Sequence, residues 1–218
     1  MSASTIRPIA LFQTTLQTTP TIYVPLITLA APGFVLSLLG ILIPFVGGIL
    51  LLANALIIGP IMGAAMIISV DQHLTQRPVT LSPNVEKAIG LLVPLVLGSI
   101  LLFLCIFAGL IALVIPGIYL MIRLGFTIYA ITLESQSAVD GLKYSWNLVK
   151  GQWWPVFLAS LLVGLAFGIP IGLISELIDN TLITNVVSTA LVPFLVVFST
   201  ILFRNLQQVQ MQPTGPLE

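Results

Sequence analysis

The sequence predicts an all-α polytopic membrane protein with about six transmembrane helices and two or three interfacial amphipathic helices. Three observations carry this expectation. The chain is 58% hydrophobic and only 6% charged, a composition that suits a bilayer. Its apolar stretches are mostly as long as the ~20 residues a helix needs to cross the hydrocarbon. Finally, Arg7, Arg77, Lys87, Lys143, Lys150 and Arg204 lie between or outside those stretches. With six spans they all fall on one face, which the positive-inside rule makes cytosolic. The expected location is the cytoplasmic membrane, multi-pass, with both termini in the cytosol and 1–218 as one integral membrane domain.

Composition narrows the function classes. A formal net charge of zero and the absence of a basic run argue against nucleic acid as a partner. One Cys and one His exclude a dedicated Cys/His metal cluster and an internal disulfide. Cys105, in the apolar run 101–106, reads as a small core hydrophobe. His73, beside Asp71 and Gln72, reads as a solvated loop histidine. Arg7 is followed by the polar residues Gln13, Thr14, Thr15, Gln17, Thr18 and Thr19 rather than a compact apolar core, so the first apolar run is expected to be a retained span, not a cleaved signal.

Spans are expected at about 22–42, 44–69, 88–112, 115–134, 154–175 and 184–203. The run from Leu91 to Leu133 is too long for one helix, and Pro116-Gly117 is its best punctuation. A short amphipathic segment precedes each pair of spans. The first, about 6–17, carries Ile9, Phe12 and Leu16 at helical spacing. The second opens with Ser82 as N-cap and Pro83 in the first turn, with Glu86 and Lys87 on its polar face. The third is the clearest. Ser137 and Asp140 form a capping-box arrangement, and Gly151 follows the expected last residue, Lys150. Val139, Leu142, Trp146 and Val149 make one apolar stripe, expected to face lipid or the bundle, while Asp140, Lys143, Asn147 and Lys150 point towards water or headgroups. Trp153 and Trp154 stand where the chain enters the next span, a place suited to interfacial indoles. The prolines Pro25, Pro94 and Pro155 recur at corresponding places, suggesting a threefold repeat of amphipathic helix plus helical hairpin, with units 4–70, 80–134 and 137–204.

Arg123 is the sharpest candidate site. Inside a continuous fourth span it would sit roughly 10 Å or more from either end, where a guanidinium is costly unless paired. It is expected to point into the bundle, either gripping an anionic headgroup or locked by helix-end carbonyls and polar neighbours such as Asn54. Ser160, Gly164, Gly168 and Gly172 form a small-residue stripe expected to pack against another helix of the chain; Gly59 and Gly63 repeat the spacing. Pro32, Pro60, Pro170 and Pro193 are expected to kink spans. Glu176 and Asp179 read as a solvated outer loop. Acidic residues look isolated along the chain, and no nucleophile–base pair, phosphate loop or metal cluster is evident.

The stretch PGIYLMIRLGFTIYAITLE followed by AVDGLKYSWNLVKGQWWPVF resembles the membrane domain named after glycerophosphoryl diester phosphodiesterase and the related YciC-like integral membrane proteins. Gly117, Tyr119, Arg123, Glu134, Leu142, Lys143, Ser145, Trp146, Gly151, Trp153 and Trp154 carry the likeness; Asp140 and Gly141 are less typical of it. In some relatives that domain is fused to a soluble phosphodiesterase barrel, for which this chain has no room. The resemblance therefore implies a membrane domain without phosphodiesterase activity. The functional expectation is a non-enzymatic module without cofactor, organising membrane lipid or an envelope protein partner. The alternative is a small permease or flippase-like transporter.

Overall fold

The computed structural model describes residues 6–178 and 180–211. Helix α1 runs Pro8–Leu42 and turns at Ile43 into α2, Pro44–Ala53. One π-helical turn, Asn54–Ile58, joins α2 to α3, Gly59–Leu74. The short helix α4, Leu81–Gly90, precedes the hairpin of α5, Leu92–Ala112, and α6, Val114–Leu124. Then come α7, Thr127–Glu134, α8, Ala138–Leu148, α9, Trp153–Ile178, and α10, Thr181–Met211. Six helical stretches are long and apolar enough to cross a membrane: Pro8–Leu42, Phe45–Leu74, Leu92–Ile111, Val114–Glu134, Trp153–Ile174 and Thr181–Met211. The expected break between the third and fourth falls at Leu113.

The core lies where α1, α3, α9 and α10 meet. Helix α1 runs antiparallel to α10: the Tyr23 hydroxyl donates to the Ala190 carbonyl at 3.1 Å, and Phe34 and Val186 line one cavity. Leu26, Ala64, Val70, Val156, Ala159, Val197, Leu202 and Phe203 are buried there. Small residues on α3 and α9 let the backbones close, so dispersion substitutes for the hydrophobic drive that lipid does not supply.

The first amphipathic segment is not a separate helix. Residues 8–42 form one helix despite Pro20, Pro25 and Pro32. Thr15 and Thr19 are buried, and each returns its hydroxyl to the carbonyl one turn back, Leu11 at 2.9 Å and Thr15 at 2.7 Å. The polar run therefore satisfies itself and packs inward with Leu11, Ile22 and Leu26, while Ile9 and Leu16 are exposed. The order of amphipathic helix then hairpin recurs only in the second and third units.

Helix α4 begins at Leu81, with Thr80 at the N-cap position, so Ser82 lies inside the helix and does not cap it. Its buried residues are Ala88, in the apolar core, and the polar Asn84. Asn84 donates to Ser69 Oγ and Gln72 Oε1, both at 2.8 Å, and accepts from Gln72 Nε2 at 2.9 Å. Pro60 explains the π turn. It cannot donate to Leu56, and a wider turn absorbs the missing bond.

Candidate functional site

Arg123 sits in the last turn of α6, half-buried, and is held by α8. Its Nε donates to the Tyr119 hydroxyl at 3.0 Å, and Nη1 donates to the Trp146 carbonyl at 2.9 Å, in the last turn of α8. The guanidinium lies 4.8 Å from the Trp146 ring centroid and 5.4 Å from that of Tyr119, a cation–π arrangement on two faces. Tyr119 in turn stacks on Trp153, the first residue of α9, at 5.9 Å. Trp153 stacks on Phe157 at 5.1 Å. Its buried Nε1 finds no acceptor among the described residues.

The expected helix-end carbonyl partner is thus present. The fourth candidate span is interrupted at Gly125–Phe126, between α6 and α7. Arg123, just before that break, lies beside the end of α8 and the start of α9. Asn54 belongs to a different group. Its Nδ2 donates to Ser37 Oγ at 3.2 Å, and its buried Oδ1 has no partner among the described residues.

Helix α8 reaches this site by packing on α7, and the apolar stripe, expected to face lipid or the bundle, is divided between its faces. Ala138, Gly141, Ser145 and Leu148 face inward, joined by Val149 at the C-cap. Val139 and Trp146 are exposed, and Leu142 is half-buried. Gly141 and Ser145 make this register necessary. A Cβ on Gly141 would stand 2.9 Å from Ile131 Cγ1 and 3.3 Å from the Thr127 carbonyl. Ser145 accepts from the Phe126 N–H at 3.1 Å and donates to the Arg123 carbonyl at 2.8 Å, satisfying backbone groups freed by the α6–α7 break. The capping box forms as expected: Ser137 accepts from the Asp140 N–H at 3.2 Å and donates to its carboxylate at 2.7 Å. That bond and the nearby Lys143 ammonium hold the Asp140 carboxyl below the usual carboxylate range. The helix ends at Leu148, two residues early, and Gly151 turns the chain with φ +79°. Lys143 and Lys150 are exposed, as is Trp154.

Leu142, Lys143, Trp146 and Asn147 of α8 border a groove of about 620 Å³ shared with Cys105 and Leu124 of the α5–α6 hairpin. The other wall residues are apolar, so the groove offers hydrocarbon contact with one ammonium and one amide at its rim.

A second cluster escaped the sequence reading. The Asp71 side chain is 6% exposed and accepts from Arg204 Nε at 2.7 Å and Arg77 Nη2 at 2.9 Å. Arg204 Nη1 also donates to Gln207 Oε1 at 2.7 Å and pairs with Glu134 Oε1 at 3.3 Å. Gln207 Nε2 then donates to Glu134 and to the Tyr144 hydroxyl. Two carboxylates do converge, therefore, but on Arg204, with both occupied by guanidinium. His73 is in the last turn of α3, 3.0 Å from Thr21 Oγ1, not in a loop. Among the described residues no group of acidic, His and Cys side chains could hold a metal ion.

Among the described residues, the small-residue stripe on α9 meets no other helix at Gly164 or Gly168, where a Cβ would find no described atom within 4 Å, and Ser160 is only half-buried. The buried line of α9 is Val156, Ala159 and Val163 instead. A Cβ on Gly63 likewise would find no described atom within 4 Å, whereas one on Gly59 would approach the Asn54 carbonyl to 2.8 Å. Glu176 is exposed; Asp179 lies outside the described residues.

Fold and site together define a polytopic α-helical membrane protein with an aromatic-framed arginine and a neighbouring apolar groove. No family model, curated protein or solved structure matches the chain.

Proposed function

We propose that this protein is a non-enzymatic membrane module that gathers anionic lipid at the face carrying its termini. One observation carries the reading. Arg123 uses two donors on Tyr119 and Trp146, leaving Nη2 free of any bond among the described residues, and the orphan Trp153 N–H stands on the same Tyr119 ring. A fixed guanidinium with spare donors suits a phosphate, and an indole N–H adds a further donor. The groove beyond Trp146 supplies apolar wall for an acyl chain.

The motif likeness to the phosphodiesterase-associated membrane domain fits this reading. Its residues Tyr119, Arg123, Trp146 and Trp153 form one contact group, with Ser145 pinning the backbone beneath it. Placement in the cytoplasmic membrane with cytosolic termini belongs to the same proposal, supported by Arg7, Arg77, Lys87, Lys143 and Lys150 at that end. An envelope protein docking on the same rim is the other partner the reading admits.

The test is thermal stability in nanodiscs of phosphatidylcholine alone or with phosphatidylglycerol. Wild type gains stability from the anionic lipid, Arg123→Gln loses most of that gain, and Arg123→Lys retains part. An equal gain in wild type and Arg123→Gln would overturn the proposal.

A further inference from the structure

The α5–α6 hairpin is apolar and long enough to cross a bilayer, but its attachments point elsewhere. At one end of the α6–α7 stretch, Glu134 is bonded by Arg204 and Gln207 near the C-terminal end of α10. At the other, Tyr119 stacks on Trp153 at the start of α9, and Arg123 holds the end of α8. That end of α8 is also bonded by α10, because Gln210 donates to the Leu148 and Lys150 carbonyls at 3.2 and 3.0 Å. On a straight helix Tyr119 and Glu134 would be separated by roughly 22 Å. Here both are tied to the same end of the bundle, and the break at Gly125–Phe126, stapled by Ser145, is what permits it.

The tip follows from this. Leu113 is only about 9 Å of helix beyond Tyr119, too little to reach the far side of a ~30 Å hydrocarbon layer from the level of Trp153. The tip is also built for hydrocarbon. From Gly109 to Ile118 no side chain is polar, and Ile111, Leu113, Val114 and Ile115 are exposed, Ile115 by 80%. The turn keeps its hydrogen bonds internal, Leu113 N–H to the Gly109 carbonyl and Gly117 N–H to the Leu113 carbonyl, as backbone in lipid must. Gly109 and Gly117 bring the two helices together; a Cβ on Gly109 would lie 3.1 Å from Gly117 Cα. The α9–α10 turn differs, carrying Glu176 and Asn180, with Asn180 Oδ1 capping α10.

We propose that the α5–α6 hairpin does not cross the membrane. It enters the leaflet on the side of the termini and ends among that leaflet's acyl chains, while α1, α2–α3, α9 and α10 cross. The partner of its exposed apolar surface is lipid hydrocarbon. This inference rests on the membrane fold and stands whether or not Arg123 binds phosphate.

The experiment uses the full chain in proteoliposomes, in a Cys105→Ala background, with a fluorophore at Leu113→Cys. Lys143→Cys and Glu176→Cys mark the two faces. Spin-labelled lipid is introduced into one leaflet at a time. The expected result is strong quenching of the Leu113 probe from the leaflet that quenches or borders the Lys143 probe, and weak quenching from the other. A membrane-impermeant maleimide should leave Leu113→Cys unlabelled from the Glu176 side. Quenching chiefly from the Glu176 leaflet, or labelling from that side, would show a crossing hairpin and overturn the inference.

Discussion

Removing the Arg204 guanidinium is the most decisive test of what holds the helices together at the terminal face. Arg204→Met keeps the aliphatic stem against the bundle and deletes three interactions: the 2.7 Å bond to Asp71, the 2.7 Å bond to Gln207 and the 3.3 Å pair with Glu134. Asp71, with its side chain 6% exposed, keeps only Arg77, which is 60% exposed. Stripping a partner from a buried charge costs about 3–5 kcal/mol. Arg204 is itself 32% exposed and Arg77 partly compensates, so the expected loss is about 2–3 kcal/mol. At ~2–4 °C per kcal/mol for a chain of this size, Tm should fall by about 4–12 °C. The assay is thermal unfolding in detergent, followed by a double-mutant cycle with Asp71→Leu. Because each single change strips the other charge of its shortest ionic contact, the double variant should be more stable than the sum predicts by about 1–3 kcal/mol. An unchanged Tm for Arg204→Met, or additive losses, would refute the claim that this pair acts as a unit.

Ser145→Ala removes only the hydroxyl and leaves the Phe126 N–H and the Arg123 carbonyl without that partner, so a loss of about 1–3 kcal/mol is expected, read as a lower Tm and faster amide exchange at Phe126. Gly168→Leu should be tolerated within about 0.5 kcal/mol, since its Cβ meets open space. Gly117→Leu should be clearly destabilising, because a Cβ there would already clash with the Leu110 side chain and stand 3.0 Å from its Cα; equal Tm values for the two would contradict the packing described. Ser137 and Lys143 lower the Asp140 carboxyl pKa. The cap it forms should therefore be fully present above the ordinary carboxylate pKa and be lost as pH falls through the lowered value. A spin label at Val139 should gain mobility only in acid, and Asp140→Asn should abolish that pH dependence.

The long apolar helices were legible because hydropathy and length act locally: Leu113 and Ile43 break the chain close to where glycine and proline punctuate it. The α8 cap was legible for the same reason, since Ser137 and Asp140 are neighbours. What the sequence could not display was pairing at a distance. Asp71, Glu134 and Arg204 each look like a solvated residue at the end of an apolar run, and only the fold brings them together. The apolar stripe of α8 was legible, but its spacing did not divide lipid from bundle: Val139 and Trp146 are exposed, while Gly141 and Ser145 take the inner face. The glycines of α9 misled. Spacing marks where a helix is able to approach and says nothing about whether one does. The division of the fourth candidate span beside Arg123 was not legible, because Gly125–Phe126 carries no strong signal of a break.

The π turn at Asn54–Ile58 sets the phase of everything that follows it. A wider turn carries one residue beyond the α-helical repeat, so α3 emerges rotated by about 100° relative to a regular continuation of α2. Helix α2 presents mostly exposed apolar residues such as Ile49 and Leu52, yet α3 buries Ala64, Ala65, Ile68 and Asp71. A single-residue deletion within 54–58 would remove the wide turn and swing Asp71 away from Arg204. The extra residue works as a phase shifter, letting one continuous helix turn one side toward lipid in its first half and a different side toward the ion pair in its second.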